Sequence, residues 1–169
     1  GGRLPDALAA LPPVADAPPQ RSFHFDMMID TFEHLPAADA HAQLRGPGGM
    51  SMGMGGRLLF SINGEFMDMA VINHRVKLGA TETWEVRNPV VMPHSFHVHG
   101  TSFRILSRNG SAPPEAERGW KDVVALAPGE TARIQMRFDQ PASADHPYMY
   151  HCHMLEHEDN GMMGQFTVT

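Results

Sequence analysis

The chain's only cysteine, Cys152, lies between two histidines in Tyr150-His151-Cys152-His153-Met154-Leu155-Glu156-His157, and Gly161-Met162-Met163 follows shortly after. Thiolate, imidazole and thioether are the donors of a mononuclear copper site, two histidines and a cysteine in a trigonal set with a weak, long axial methionine. Soft sulfur stabilises Cu(I), while imidazole suits both oxidation states. Cys152, His157 and Met162 supply three of those four donors. Upstream, Pro93-His94-Ser95-Phe96-His97-Val98-His99-Gly100 packs three histidines into a short window, and His94 is the candidate for the fourth.

These residues need strands to position them. In an extended segment side chains alternate between faces, so His97 and His99 leave one face together as a pincer. Around the cysteine, His151 and His153 share one face while Cys152 points to the other. One short strand can then touch two metal centres, with the cysteine holding one and its covalent neighbours reaching the next.

The two segments resemble the copper signatures in the last domain of multicopper oxidases. They are most similar to those of the bacterial copper-efflux oxidases, which are laccase-like and oxidise Cu(I). The resemblance spans about residues 58–169 and includes Gly100-Thr101-Ser102-Phe103-Arg104-Ile105-Leu106 and Gly119-Trp120-Lys121-Asp122. Carried over position by position, it implies that His94, Cys152, His157 and Met162 are type 1 copper ligands. By the same resemblance His97 is a type 2 ligand, and His99, His151 and His153 are type 3 ligands. Ser95 stands where proline is common in the family and Asn160 where threonine is frequent, and neither position donates to copper.

The family's activity implies a route. Electrons from Cu(I) or a phenolic substrate enter at the type 1 copper, pass through Cys152 to His151 and His153, and reach a trinuclear copper cluster that reduces O₂ to water. The resemblance also implies a periplasmic location and makes Glu158 a proton relay to dioxygen. Read from its sequence position alone, Glu158 is either a hydrogen-bond partner of a ligand imidazole or part of a solvated acidic loop with Asp159. This chain carries only half of the cluster histidines. The expectation is therefore that an isolated monomer is inactive and that the cluster is completed by the other domains of a parent enzyme or by a second copy. Two copies across an isologous two-fold would each present the same pair of pincers. The alternative, from a different class, is a stand-alone blue-copper electron-transfer or copper-binding module without oxidase activity.

Composition narrows the partners. A formal net charge of −6 over 169 residues argues against nucleic acid, whose recognition needs concentrated positive charge. No apolar run approaches the roughly 18 residues of a transmembrane helix, so no membrane partner is implied. Gly1-Gly2-Arg3 reads as a processing or cloning remnant and resembles neither a signal peptide nor a lipidation site. One cysteine permits no internal disulfide.

Residues 1–20, with Pro5, Pro12, Pro13, Pro18 and Pro19 among alanines, are too proline-rich for a helix or central strand and read as an interdomain linker. Residues 21–169 read as one domain, interrupted by a flexible Gly/Met-rich loop near 36–56. Strands are predicted at 21–29, 57–64, 83–88, 103–107, 122–126, 131–138, 148–152 and 164–168, and a short helical turn after His153. Short strands with regular turn signals indicate an all-β sandwich, and the copper motifs narrow it to a Greek-key cupredoxin.

The remaining histidines, His24, His34, His41, His74 and His146, are scattered and read as ordinary polar or core residues. Most of the 13 methionines read as core fillers. Met50, Met52 and Met54 alternate with glycine and serine, and are either a weak Cu(I) trap or part of a disordered loop. Met92 matches a methionine of the efflux oxidases' Cu(I) substrate site, where Val90 replaces the family's aspartate. Met27, Met28 and Asp30 are further candidates for that site.

Overall fold

The structure, a computed structural model, describes residues 17–31, 50–51 and 56–169. Most of the proline-rich start and of the 36–56 segment lie outside the described residues, and with them His34, His41, Met52 and Met54. Of Met50 and Asp30 only the backbone is described.

The all-β expectation holds, with two sheets facing each other. One is ordered β2 (Met50–Ser51), β3 (Gly56–Ile62), β1 (Arg21–Thr31), β5 (Thr81–Arg87), β9 (Thr131–Arg137) and β7 (Phe103–Arg108). The other is ordered β4 (His74–Val76), β11 (Met163–Val168), β10 (Tyr148–Cys152), β6 (His94–Val98) and β8 (Val123–Leu126). Most neighbours are antiparallel, but β1 pairs β5 and β11 pairs β4 in parallel. From β3 to β10 the chain changes sheet at every connection, as the crossing connections of a Greek-key sandwich require.

Each predicted strand is present within a few residues of its predicted ends. Two short strands were not anticipated. β4 is only three residues long and offers no alternation to read. β2 lies inside the segment predicted as a loop and is held by pairing with β3 at Met50↔Leu58, a partner that local sequence does not reveal.

Period-two burial locks these strands in place. Ala132, Ile134 and Met136 of β9, Phe103 and Ile105 of β7, and Phe96 and Val98 of β6 all turn inward. They meet Phe23, Phe25, Phe60, Trp84, Phe138 and Phe166, each fully buried, and burial of one such side chain contributes roughly 1.5–3 kcal/mol. This aromatic core fixes the register of β6 against β10, where Cys152 pairs with Phe96, His151 with His97 and Tyr150 with Val98.

Candidate metal centre

β10 ends at Cys152, and after His153 and Met154 the chain makes one helical turn, α1 (Leu155–Glu158), at the place where a turn was expected. This turn is short because its role is local: His157 faces inward and is buried, while Glu158 stays on the outer side. The backbone then folds back. Cys152 N–H donates to Met162 O at 3.1 Å, and Met162 N–H donates to His157 O at 3.1 Å. Cysteine, histidine and methionine are thus tied together before any side-chain contact is considered.

Inside the sandwich, Cys152 Sγ lies 3.6 Å from His94 Nδ1 and 3.6 Å from His157 Nδ1, and the two nitrogens are 3.1 Å apart. Stacking fixes both imidazoles, His94 on Phe25 at 4.7 Å and His157 on Phe60 at 4.0 Å between ring centres. Metal–ligand bonds of about 2.0–2.3 Å at trigonal or tetrahedral angles place donor atoms roughly 3.3–4.0 Å apart, close to this triangle. His94 Nε2 is buried and has no hydrogen-bond partner among the described residues, so no protein acceptor favours turning the ring over. A soft thiolate with two imidazoles is a donor set suited to copper, and the fourth predicted donor, Met162, is fully buried and tied by its backbone to Cys152 and His157. Burial also keeps the imidazoles neutral. His94 is pushed down to about 4 by burial and by facing His157, and His157 is lowered chiefly by burial. Burial pushes the Cys152 thiol up, opposed by hydrogen bonds from the Ser95 backbone, the Met154 backbone and the Ser95 side chain.

On the outer face of the same sheet a second group converges. The donor atoms of His97, His99 and His151 all lie within 4.8 Å of one another, with the Nε2 atoms of His99 and His151 3.0 Å apart. A carbonyl can only accept, so two of the tautomers follow. His97 donates through Nδ1 to Asp122 O at 2.8 Å, and His151 donates through Nδ1 to Cys152 O at 3.0 Å. Each neutral ring then presents an Nε2 lone pair, the form that binds metal. Glu158 Oε2 is 3.3 Å from His151 Nδ1 and holds the same tautomer. Burial lowers the pKa of both His99 and His151. His153, which is exposed, joins by ring contact at 5.2 Å from His97 and 5.4 Å from His151.

Among the predicted ligands the structure therefore brings together His94, Cys152 and His157 as one donor set and His97, His99 and His151 as another on the opposite face of the sheet, with Glu158 beside the outer one. Of the residues proposed for the Cu(I) substrate site, the side chain of Asp30 lies outside the described residues. Met27 packs against the core while Met28 is exposed on the other face of β1, and Met92 packs against the core with its carbonyl taking a hydrogen bond from Asn88. His74 proves to be a core-edge residue, its ring 5.3 Å from Phe23. Sequence reasoning missed Ser95, which bonds the cysteine sulfur and also receives the His153 N–H at Oγ, 3.2 Å away. The signal was a hydroxyl at the position where the resembled family commonly has proline. A cavity of about 580 Å³ lined by Glu85, Arg104, Arg118 and Arg133 touches none of the donor residues.

Comparison with known proteins gives the same answer. A family model described as multicopper oxidase matches residues 39–169. A multicopper oxidase of Staphylococcus haemolyticus is 47% identical over 113 residues, covering 64% of this chain and 24% of the relative. A laccase-like multicopper oxidase of Ochrobactrum sp., with oxidase activity towards lignin model compounds and lignosulfonate, superposes with a TM-score of 0.66 and 39% identity over 92% of this chain and 33% of that one. A Campylobacter jejuni multicopper oxidase described as a metallo-oxidase gives a TM-score of 0.69 and 32% identity over 99% of this chain and 33% of that one. The chain spans about a quarter of the length of the curated relatives it matches.

Proposed function

Because the chain belongs to the multicopper oxidase family, whose members bind copper, we propose that it is the type 1 copper domain of such an enzyme. In this reading residues 21–169 are the cupredoxin unit and residues 1–20 its tether to the rest of the enzyme. The observation that carries it is the pair of back-to-back donor sets, His94, Cys152 and His157 within the sandwich and His97, His99 and His151 outside it.

Copper at the inner set supplies a one-electron centre. The chain's own residues supply the rest. Met162 would add a weak thioether donor, and the Phe25 and Phe60 stacks exclude water from the His94 and His157 imidazoles. From Cys152 Sγ a covalent path runs through the cysteine backbone to the His151 imidazole, and a second runs to His153, so the inner and outer sets are joined through bonds. His97 would hold type 2 copper, and His99, His151 and His153 type 3 copper, of a cluster that would supply the reduction of O₂ to water in the whole enzyme. Glu158 places a proton acceptor at His151 Nδ1–H, from which protons would be passed on towards dioxygen. The electron source is Cu(I) or a phenol, a range supported by relatives described as a metallo-oxidase and as acting on lignin model compounds. The cluster needs further imidazoles from another domain or a second copy, which makes an isolated monomer inactive. A periplasmic location follows from the copper-efflux resemblance.

The test is a visible and electron paramagnetic resonance spectrum of the copper-loaded chain, with oxygen uptake on Cu(I) and on a phenol. A blue centre with copper also at the outer set supports the domain reading, and colourless copper-loaded protein refutes it. The partial complement of outer histidines favours one second reading, a blue-copper electron-transfer module. A single blue copper per chain, no oxygen uptake and a monomer in sedimentation at every copper loading would select it.

A further inference from the structure

Trp84 is a fully buried indole at the centre of an aromatic cluster that starts at the cysteine. Phe96 stands opposite Cys152 in the β6–β10 ladder, and Tyr150 precedes the cysteine by two residues on the same inward face. The Trp84 ring lies 6.4 Å from Phe96 and 6.5 Å from Tyr150. Phe23 fills the gap, 4.9 Å from Trp84 and 4.9 Å from Tyr150. Aromatic rings are therefore in unbroken contact from the strand of the copper thiolate to the indole.

The other side of Trp84 is unlike the rest of the core. Its Nε1–H donates to Glu82 Oε2 at 2.7 Å, and Arg21 holds both oxygens of that carboxylate, at 2.7 and 3.1 Å. Glu82 is close to solvent, its side chain 12% exposed and that of Arg21 20% exposed. A buried indole N–H needs an acceptor, and a neutral carbonyl would satisfy it. A carboxylate can also take the proton, and a rigidly held one is ready to do so without reorganising.

We propose that Trp84, with Glu82 as its proton acceptor, is a one-electron relay that drains oxidising equivalents from the histidine–cysteine centre. The proposal rests on the copper-domain reading above. Its oxidant is a reactive species of partly reduced dioxygen formed at the outer histidine set, which draws the electron through Cys152. That species gains one electron, Trp84 loses it, and the Nε1 proton moves to Glu82 Oε2, leaving a neutral indolyl radical and a carboxylic acid. An external phenol or thiol then returns one electron and Glu82 returns the proton, while the reductant's own proton leaves to solvent. Both side chains are restored, and the ligands Cys152, His157 and Met162 are spared oxidation.

The experiment uses the full chain, loaded with Cu(I), in a Trp120→Phe background that removes the other, exposed tryptophan. Photogenerated ruthenium(III) tris-bipyridine is the one-electron oxidant, because a route that carries a hole outward also carries it inward. Freeze-quench paramagnetic resonance should show a neutral indolyl radical that decays as the blue cupric absorption rises. Trp84→Phe should abolish the radical and slow the rise. Glu82→Gln keeps a hydrogen-bond acceptor and should convert the radical to its protonated, cationic form. A blue rise unchanged in Trp84→Phe, or a neutral radical persisting in Glu82→Gln, overturns the proposal. Where circular dichroism shows that Trp84→Phe does not fold, Glu82→Gln decides alone. A chain that takes up no copper removes the destination of the relay and refutes the copper-domain reading with it. A chain that turns blue but gives no tryptophan radical refutes the relay only.

Discussion

His97 and His151 face each other across the β6–β10 ladder, their ring centres 5.1 Å apart and their planes at 75°. One residue along each strand, Phe96 and Cys152 face each other on the opposite side of the sheet. A single step along the chain therefore moves from the outer donor set to the inner one, and the thickness of one sheet separates them.

That separation makes the two metals independently removable. Cys152→Ser should abolish blue absorption while leaving copper or zinc at the outer imidazoles. The double variant His97→Ala, His151→Ala should do the reverse. Metal counted per chain beside the visible spectrum reads both, and loss of all metal from either folded variant would contradict the arrangement.

Burial and the β11 register favour Met162 over Met163 as the axial sulfur of the proposed copper site. Met162 is fully buried on the inner side, whereas Met163 is paired with His151 and only half-buried. Met162→Leu should raise the reduction potential of the blue centre, because losing a weak donor favours the lower coordination that Cu(I) accepts. As a near-isosteric core exchange it should cost less than about 1.5 kcal/mol. Met163→Leu should leave the potential unchanged. Voltammetry showing the opposite order would mean that the strand is out of register.

Gly100, directly after His99, has φ +72°, and a Cβ there would lie 2.4 Å from the Tyr148 ring. Gly100→Ala should destabilise the chain by roughly 1–3 kcal/mol and weaken metal at the outer set, with the blue centre intact. Because the clash is with one ring, Tyr148→Ala should partly relieve it. A double-mutant cycle in urea measures that coupling, and simple additivity would rule out the contact.

Acid should weaken the metal-free fold in a defined window. His94 titrates at about 4 when folded against 6.5 when unfolded, so between those values the unfolded chain binds the extra proton. Stability then falls as pH drops from 6.5 towards 4 and changes no further below, by up to about 3 kcal/mol from this residue. The lowered His157, His99, His151 and His74 act in the same direction. Urea unfolding of the metal-free parent and of His94→Gln across that range isolates the His94 share. Identical slopes for the two would show that His94 takes no part.

Chain order alone determined the donor types, their clustering around Cys152, and the opposite facing of Cys152 against its flanking histidines. All three depend on local spacing and on the period-two alternation of an extended backbone. The strands of the aromatic core were legible for the same reason, as was the turn that carries His157. Tertiary structure decided what depends on long-range register. It brought His94 to Cys152 across 58 residues and paired Met50 with Leu58 within a predicted loop. It set Ser95 against the cysteine sulfur and Glu82 against Trp84. Register is chosen by how both sheets jointly bury Phe23, Trp84, Phe96 and Phe166, and that choice is a property of the packed core and of no single segment.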